Sequence, residues 1–192
     1  MRSVPDYVWK KVMENKTVYN VVRSRRRSIA LIVRDDGSVE IRCPRSVTKH
    51  QIEEIVHSRL EWIKRQQLKI ADRIDLPDLD SLSDHDLKEY RIRLQARIES
   101  FMHNYDGPKP AGFTIRRQKT RWGSCSSRKN INLNLKSLFL PEDLFEYLME
   151  HELAHLVHMN HSTLFWQYLE SRLPDARARQ RRLKKYRLIS QE

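Results

Sequence analysis

The chain has 192 residues, with 37 Lys and Arg against 25 Asp and Glu, a formal net charge of +12. That length buries a full core without covalent staples, and two distant cysteines, Cys43 and Cys125, argue against a disulfide framework or a thiolate zinc site. No stretch approaches the roughly 18 apolar residues of a membrane span, and MRSVPDYVWKKVMENKTVYN has no apolar signal segment, so a soluble, non-exported, cytoplasmic protein without membrane partners is expected.

Basic residues cluster at 23–27 (RSRRR), 116–121 (RRQKTR) and 176–187 (ARARQRRLKKYR). Each run alone reads as a solvated face; three together point to a polyanion partner, DNA or an acidic protein. A membrane surface fits less well, because the last run has little apolar face.

In chain order, TVYNVVRSRRRSIALIVRDDGSVEIRCP reads as strands rich in β-branched residues, with Asp36-Gly37 as a hairpin turn. A small antiparallel meander closed by Pro44 is expected. From Thr48, an N-cap, to about Ile70 the spacing turns helical, with Ile52, Ile55, Val56, Leu60, Trp62 and Ile63 on one face. DRIDLPDLDSLSD reads as an irregular linker, and Ser83 or Asp84 caps a second long helix through about Asn104. After Asp106-Gly-Pro-Lys-Pro110, GFTIRRQKTRWGSCSSRKNINLNLKSLFL alternates as short strands and turns. Pro141 opens a helix running to His158, with Glu142 and Asp143 suiting its dipole. Ser162 caps a further helix ended by Pro174, and a basic helix closes the chain.

The helix from Pro141 carries HELAHLVHMNH, with four histidines between positions 151 and 161. His151 and His155 are four apart, one above the other at a rise of about 6 Å, so both imidazoles reach one ion at roughly 2.0–2.1 Å. Glu152 is turned about 100° around the axis, placed to act on an attacking water without ligating the ion. HExxH in this register is the zincin pattern, with the glutamate as general base. The segment is also amphipathic, through Leu144, Phe145, Leu148, Met149, Leu153, Leu156 and Val157, which makes it a packed helix.

A catalytic zinc needs a third ligand from another direction. His158 stands nearly in line with the first two and would crowd one side. His161 lies beyond a bend in which His158 or Asn160 takes the left-handed conformation, and it folds back from a new angle. Geometry favours His161 over His158, with a distant residue, or no metal at all, as the remaining options.

HELAHLVHMNHSTLFW, with KTRWGSCSS, INLNLKSLFLP, RRSIALIVRDDGSVEIRCP and LEWIKRQ, resembles the YgjP-like family of metal-dependent hydrolases, within the zincins that include the WLM and SprT-like proteases. The likeness covers about residues 17–170. It implies zinc held by His151, His155 and His161, with Glu152 as base. It also implies an α+β fold: a zincin-like minimal metallopeptidase core of short antiparallel strands packed on the HExxH helix, joined to an N-terminal β-rich αβ portion. The portions divide as 1–72, hairpin or meander plus helix, and 73–192, the catalytic part, within what reads as one continuous domain. His155 to His161 also has metzincin spacing, but His158 stands where metzincins carry glycine.

Arg121 and Trp122, in RWGSCSS, combine a guanidinium, an aromatic plate and a turn, and are candidates to bind substrate; packing of Trp122 in the core is the equal alternative. Cys125 lacks a histidine partner nearby in sequence and reads as an inert thiol. The sequence thus points to a zinc metallopeptidase acting on peptides or proteins. Its rivals are a DNA-associated SprT-like protease and a non-catalytic, zinc-containing module that binds nucleic acid or protein.

Overall fold

A computed structural model describes residues 18–188, so the polar lead through Thr17 lies outside the described residues. The chain forms two compact units, one ending at Arg73 and the other beginning at Ile74.

In the first unit, β2 (Ala30–Val33) and β3 (Val39–Pro44) form the Asp-Gly hairpin, with Gly37 at φ +81° and the Asp36 carboxylate accepting from the Ser38 amide at 2.8 Å. The expected meander is not formed. β1 (Tyr19–Ser24) lies parallel to β3, giving the order β1-β3-β2. Residues 25–29 contain no tight-turn pair to fold β1 onto β2, whereas the Arg23 guanidinium donates to the carbonyls of Arg45 (3.2 Å) and Val47 beyond the end of β3. β3 is therefore central, and Val39, Ile41 and Cys43 pack on Ile52, Val56 and Ile63.

Those last three come from two helices where the periodicity predicts one. α1 (Lys49–Ser58) carries the expected Thr48 capping box with Gln51, and α2 (Leu60–Ala71) follows after Arg59 leaves helical geometry. The break has a local cause: the Ser58 hydroxyl donates to the Ile55 carbonyl at 2.9 Å, competing with the backbone ladder.

The second unit begins with β4 (Ile74–Asp75), paired in parallel with β8 (Tyr186–Arg187). The long helix α3 (Asp84–His103) starts at Ser83, whose hydroxyl accepts from the Asp86 amide at 3.2 Å. Three strands follow, β5 (Gly112–Arg116), β6 (Gly123–Cys125) and β7 (Asn130–Asn134), in the order β5-β7-β6. The strands are not all antiparallel: β6 is antiparallel to β7, but β5 is parallel to it. Asn134, 1% exposed, holds the crossing segment in place by donating to the carbonyls of Gln118 at 2.6 Å and Arg121 at 2.8 Å.

α4 (Glu142–Ala154) lies against β6, α5 (Thr163–Arg172) and α6 (Ala176–Leu183). Its Leu144, Phe145, Leu148, Met149 and Leu153 are buried together with Leu94, Ile98, Ile131, Leu133, Phe165 and Leu169. A helix buried on nearly all sides is a central element. The architecture is α+β, and within the second unit short strands and helices pack around the segment that carries HELAH.

Candidate active site

α4 ends earlier than the periodicity predicts. Ala154 is its last residue and His155 its C-cap, and the amides of Leu156, Val157 and His158 fold back onto the carbonyls of Leu153 and Ala154. The bend needs no left-handed residue at His158 or Asn160; among the described residues Lys129 is the non-glycine residue with positive φ. Side chains shape the bend instead. Asn160 Oδ1 accepts from the Ser162 amide at 3.3 Å, and Ser162 Oγ accepts from the Phe165 amide at 3.4 Å, capping α5.

This bend returns His161 to His151 of α4 and to His155 at its C-cap. One ligating atom from each of His151, His155 and His161 lies within 4.8 Å of the others, and Nε2 of His161 is 3.0 Å from Nε2 of His151. Phe165, fully buried, forms a common floor: its ring centroid is 4.6 Å from His155, 5.0 Å from His151 and 4.9 Å from His161. His158 turns away, its ring 5.9 Å from Tyr168.

The donor set fits a cation. His155 Nδ1 lies 3.0 Å from the His158 carbonyl, which only accepts, so the proton sits on Nδ1 and the Nε2 lone pair is free. His151 Nδ1 lies 3.2 Å from the Tyr147 hydroxyl, the same arrangement with a phenol as outer partner. Burial, with His155 and His161 adding to it, brings the His151 imidazole down to about 3, and burial lowers His155 too. Two ligands at roughly 2.05 Å from an ion in tetrahedral geometry stand about 3.3 Å apart, close to the His151–His161 separation.

Glu152 is 5% exposed, and its Oε2 has no hydrogen-bond partner. Burial pushes its carboxyl up to about 8, a position that a neighbouring cation reverses by favouring the charged form. The glycine of RWGS lies against it: a Cβ at Gly123 would stand 2.6 Å from Oε1.

A cleft of about 310 Å³ gathers these groups. Arg121, Trp122 and Gly123 line it together with Tyr147, Leu148, His151, Glu152 and His161 and with Gln180, Leu183 and Lys184 from the end of the chain's basic helix. Arg121 is exposed, while Trp122 is half-buried and also packs on the core, so both readings of Trp122 hold in part. Cys125 is a free thiol whose pKa is raised by burial, and then by the Glu152 charge. The sequence reading passed over Tyr147, although its position one turn before His151 on the same face marks it. It also passed over the α6 wall, which nothing local in the sequence connects to the cleft.

Comparison with known proteins bears directly on this arrangement. The family model of the YgjP-like metallopeptidase domain matches residues 27–97 and 79–186. The chain belongs to that family. Membership makes it a metal-dependent peptidase in general terms. Among solved structures, the crystal structure of the metallopeptidase zymogen of Pyrococcus abyssi abylysin is similar, at 26% identity and a TM-score of 0.37 over 49% of this chain and 90% of that one. No curated protein matches the chain. No helix among the described residues is long and apolar enough to cross a membrane.

Proposed function

We propose that this member of the YgjP-like family is a zinc-dependent peptidase, with His151, His155 and His161 holding the ion and Glu152 acting as general base. The observation that carries this reading is the convergence of three imidazoles beside one buried carboxylate whose Oε2 has no hydrogen-bond partner. Three nitrogen donors without a thiolate suit Zn²⁺. Among the described residues, His151, His155 and His161 form the group of candidate ligands, and three protein ligands with one position left over is the catalytic arrangement rather than the structural one.

When bound, the cation supplies Lewis acidity to the scissile carbonyl and to the attacking water. Glu152 takes the water proton and delivers it to the leaving amine, and its burial keeps that carboxylate away from competing solvent. Tyr147 and the His158 carbonyl fix the imidazole rings of His151 and His155. An extended peptide is the natural occupant. Trp122 O accepts from the Asn134 amide, and the Ser126 amide donates to Asn130 O, so Gly123 and Cys125 direct their own amides and carbonyls away from β7 toward an open strand edge.

Glu152→Gln tests the reading. One zinc per chain is retained while peptide hydrolysis falls roughly 10²–10⁴-fold; unchanged turnover removes Glu152 from the role. The DNA-associated alternative rests on the basic runs, and in the last of these Arg177, Arg179 and Arg182 are ion-paired to Glu170, Glu146 and Asp143 within the chain. That pairing favours the plain peptidase. Steeply salt-dependent DNA binding would restore the alternative.

A further inference from the structure

The cleft lining separates by chemistry. Half-buried Trp122 gives it apolar surface, with the buried side chains of Leu148 and Leu183 behind, and Arg121 and Lys184 bring positive charge from two elements, the 117–122 connection and the end of α6. Glu152, the acid in the lining, is already occupied with the reaction.

Several neighbouring cations in the same two runs have partners. Arg116 donates to Asn132 at 2.9 Å, and Arg117 lies 3.5 Å from Asp80. Arg177, Arg179 and Arg182 face Glu170, Glu146 and Asp143. Arg121 and Lys184, both exposed, have no side-chain hydrogen bond or ion pair among the described residues. Lys119 and Arg181, exposed in the same runs, also lack such partners, but only Arg121 and Lys184 of these unpaired cations line the cleft.

We infer that the cleft selects peptides in which an acidic residue flanks an apolar one, the acid pairing with Arg121 and Lys184 and the apolar side chain lying against Trp122. This rests on the peptidase reading above. A nucleic acid fits the same lining less well. Its backbone calls for a row of cations along a track, whereas two cations and one half-buried indole in a single cleft match a single carboxylate beside a hydrophobic side chain.

The test uses full-length, zinc-loaded Glu152→Gln protein and labelled octapeptides, acetylated and amidated so that the only acid is the one varied. Glu and Gln are compared at each position around a central Leu by fluorescence anisotropy. At the favoured position the Glu peptide binds about fivefold to tenfold tighter, as expected of two partly exposed ion pairs, and the difference shrinks in high salt. In the Arg121→Gln, Lys184→Gln double variant the ratio of the two affinities falls toward one. Equal affinities at every position overturn the inference, as does a ratio unchanged in the double variant, or a short oligonucleotide that outcompetes both peptides for the cleft. Wild-type protein given the same peptides separates the two readings: preferential binding without cleavage sinks the peptidase and leaves acid recognition standing, whereas cleavage without preference does the reverse.

Discussion

Gly123 and Glu152 are in contact across the β6–α4 boundary, so close that a methyl group on the glycine would stand 2.6 Å from Oε1 and 2.7 Å from both Cδ and Cγ of the carboxylate side chain. Space, not backbone freedom, is what glycine supplies here. Glu152 is buried along its length and cannot swing aside without vacating its place. Gly123→Ala is therefore expected to displace the carboxylate while leaving the three histidines in position. Zinc content by mass spectrometry should stay at one per chain while kcat/KM falls roughly 10²-fold, the cost of about 1 Å of misplacement. Full activity in this variant would show that Glu152 is free to move, or is not the base.

The same burial gives the metal-free protein a pH signature. Glu152 titrates at about 8 when folded, above its ordinary 4.5, so its contribution to stability is complete below 4.5 and is lost as pH rises through 8. His151 acts in the opposite sense: lowered to about 3 from 6.5, it favours folding above 6.5 and loses that contribution as pH falls toward 3. Glu152→Gln removes the first titration and keeps the second. In chelator, the Tm of the Gln variant minus that of wild type should climb steadily between pH 4.5 and 8; a flat difference contradicts the burial argument.

Tyr147 is placed to orient an imidazole rather than to touch substrate through its own chemistry, its hydroxyl lying 3.2 Å from His151 Nδ1. Loss of such an outer partner typically costs 10–100-fold in metal affinity. Tyr147→Phe should show a decrease of about that size in chelator competition, with the fold intact by circular dichroism. An unchanged zinc affinity would leave the hydroxyl no orienting role.

Which features were readable in the sequence follows from the range of the forces involved. The Asp36-Gly37 turn, the caps at Thr48, Ser83 and Ser162, and the stacking of His151 on His155 are set by residues within four positions of each other, so spacing alone exposes them. Strand partners are not: alternation marks β1 and β5 as strands, but β3 and β7 accept them in parallel because of Arg23 and Asn134, whose bonds span 13 to 24 residues. The early end of α4 escaped notice because Leu156 and Val157 continue the apolar period beyond it. Charge alone says nothing of internal pairing at 176–187, where Arg179 and Arg182 find acids 33 and 39 positions away on α4.

One such long-range pair braces the metal helix and yields the last expectation. Arg172 of α5 grips Glu150, the residue before His151, at 2.7 and 3.1 Å, reaches Asp106 at 2.9 Å, and lies 4.7 Å above the Tyr105 ring. Glu150 is 8% exposed, so removing the guanidinium strands a carboxylate in the interior. Arg172→Met should cost about 3–5 kcal/mol in urea unfolding. The Glu150→Gln, Arg172→Met double variant should recover much of that loss, because the penalty comes from the abandoned charge rather than from the absent bond. A single-variant cost below about 1 kcal/mol would class the pair with ordinary surface bridges, and the rigidity of α4 beneath His151 would then have to come from apolar packing alone.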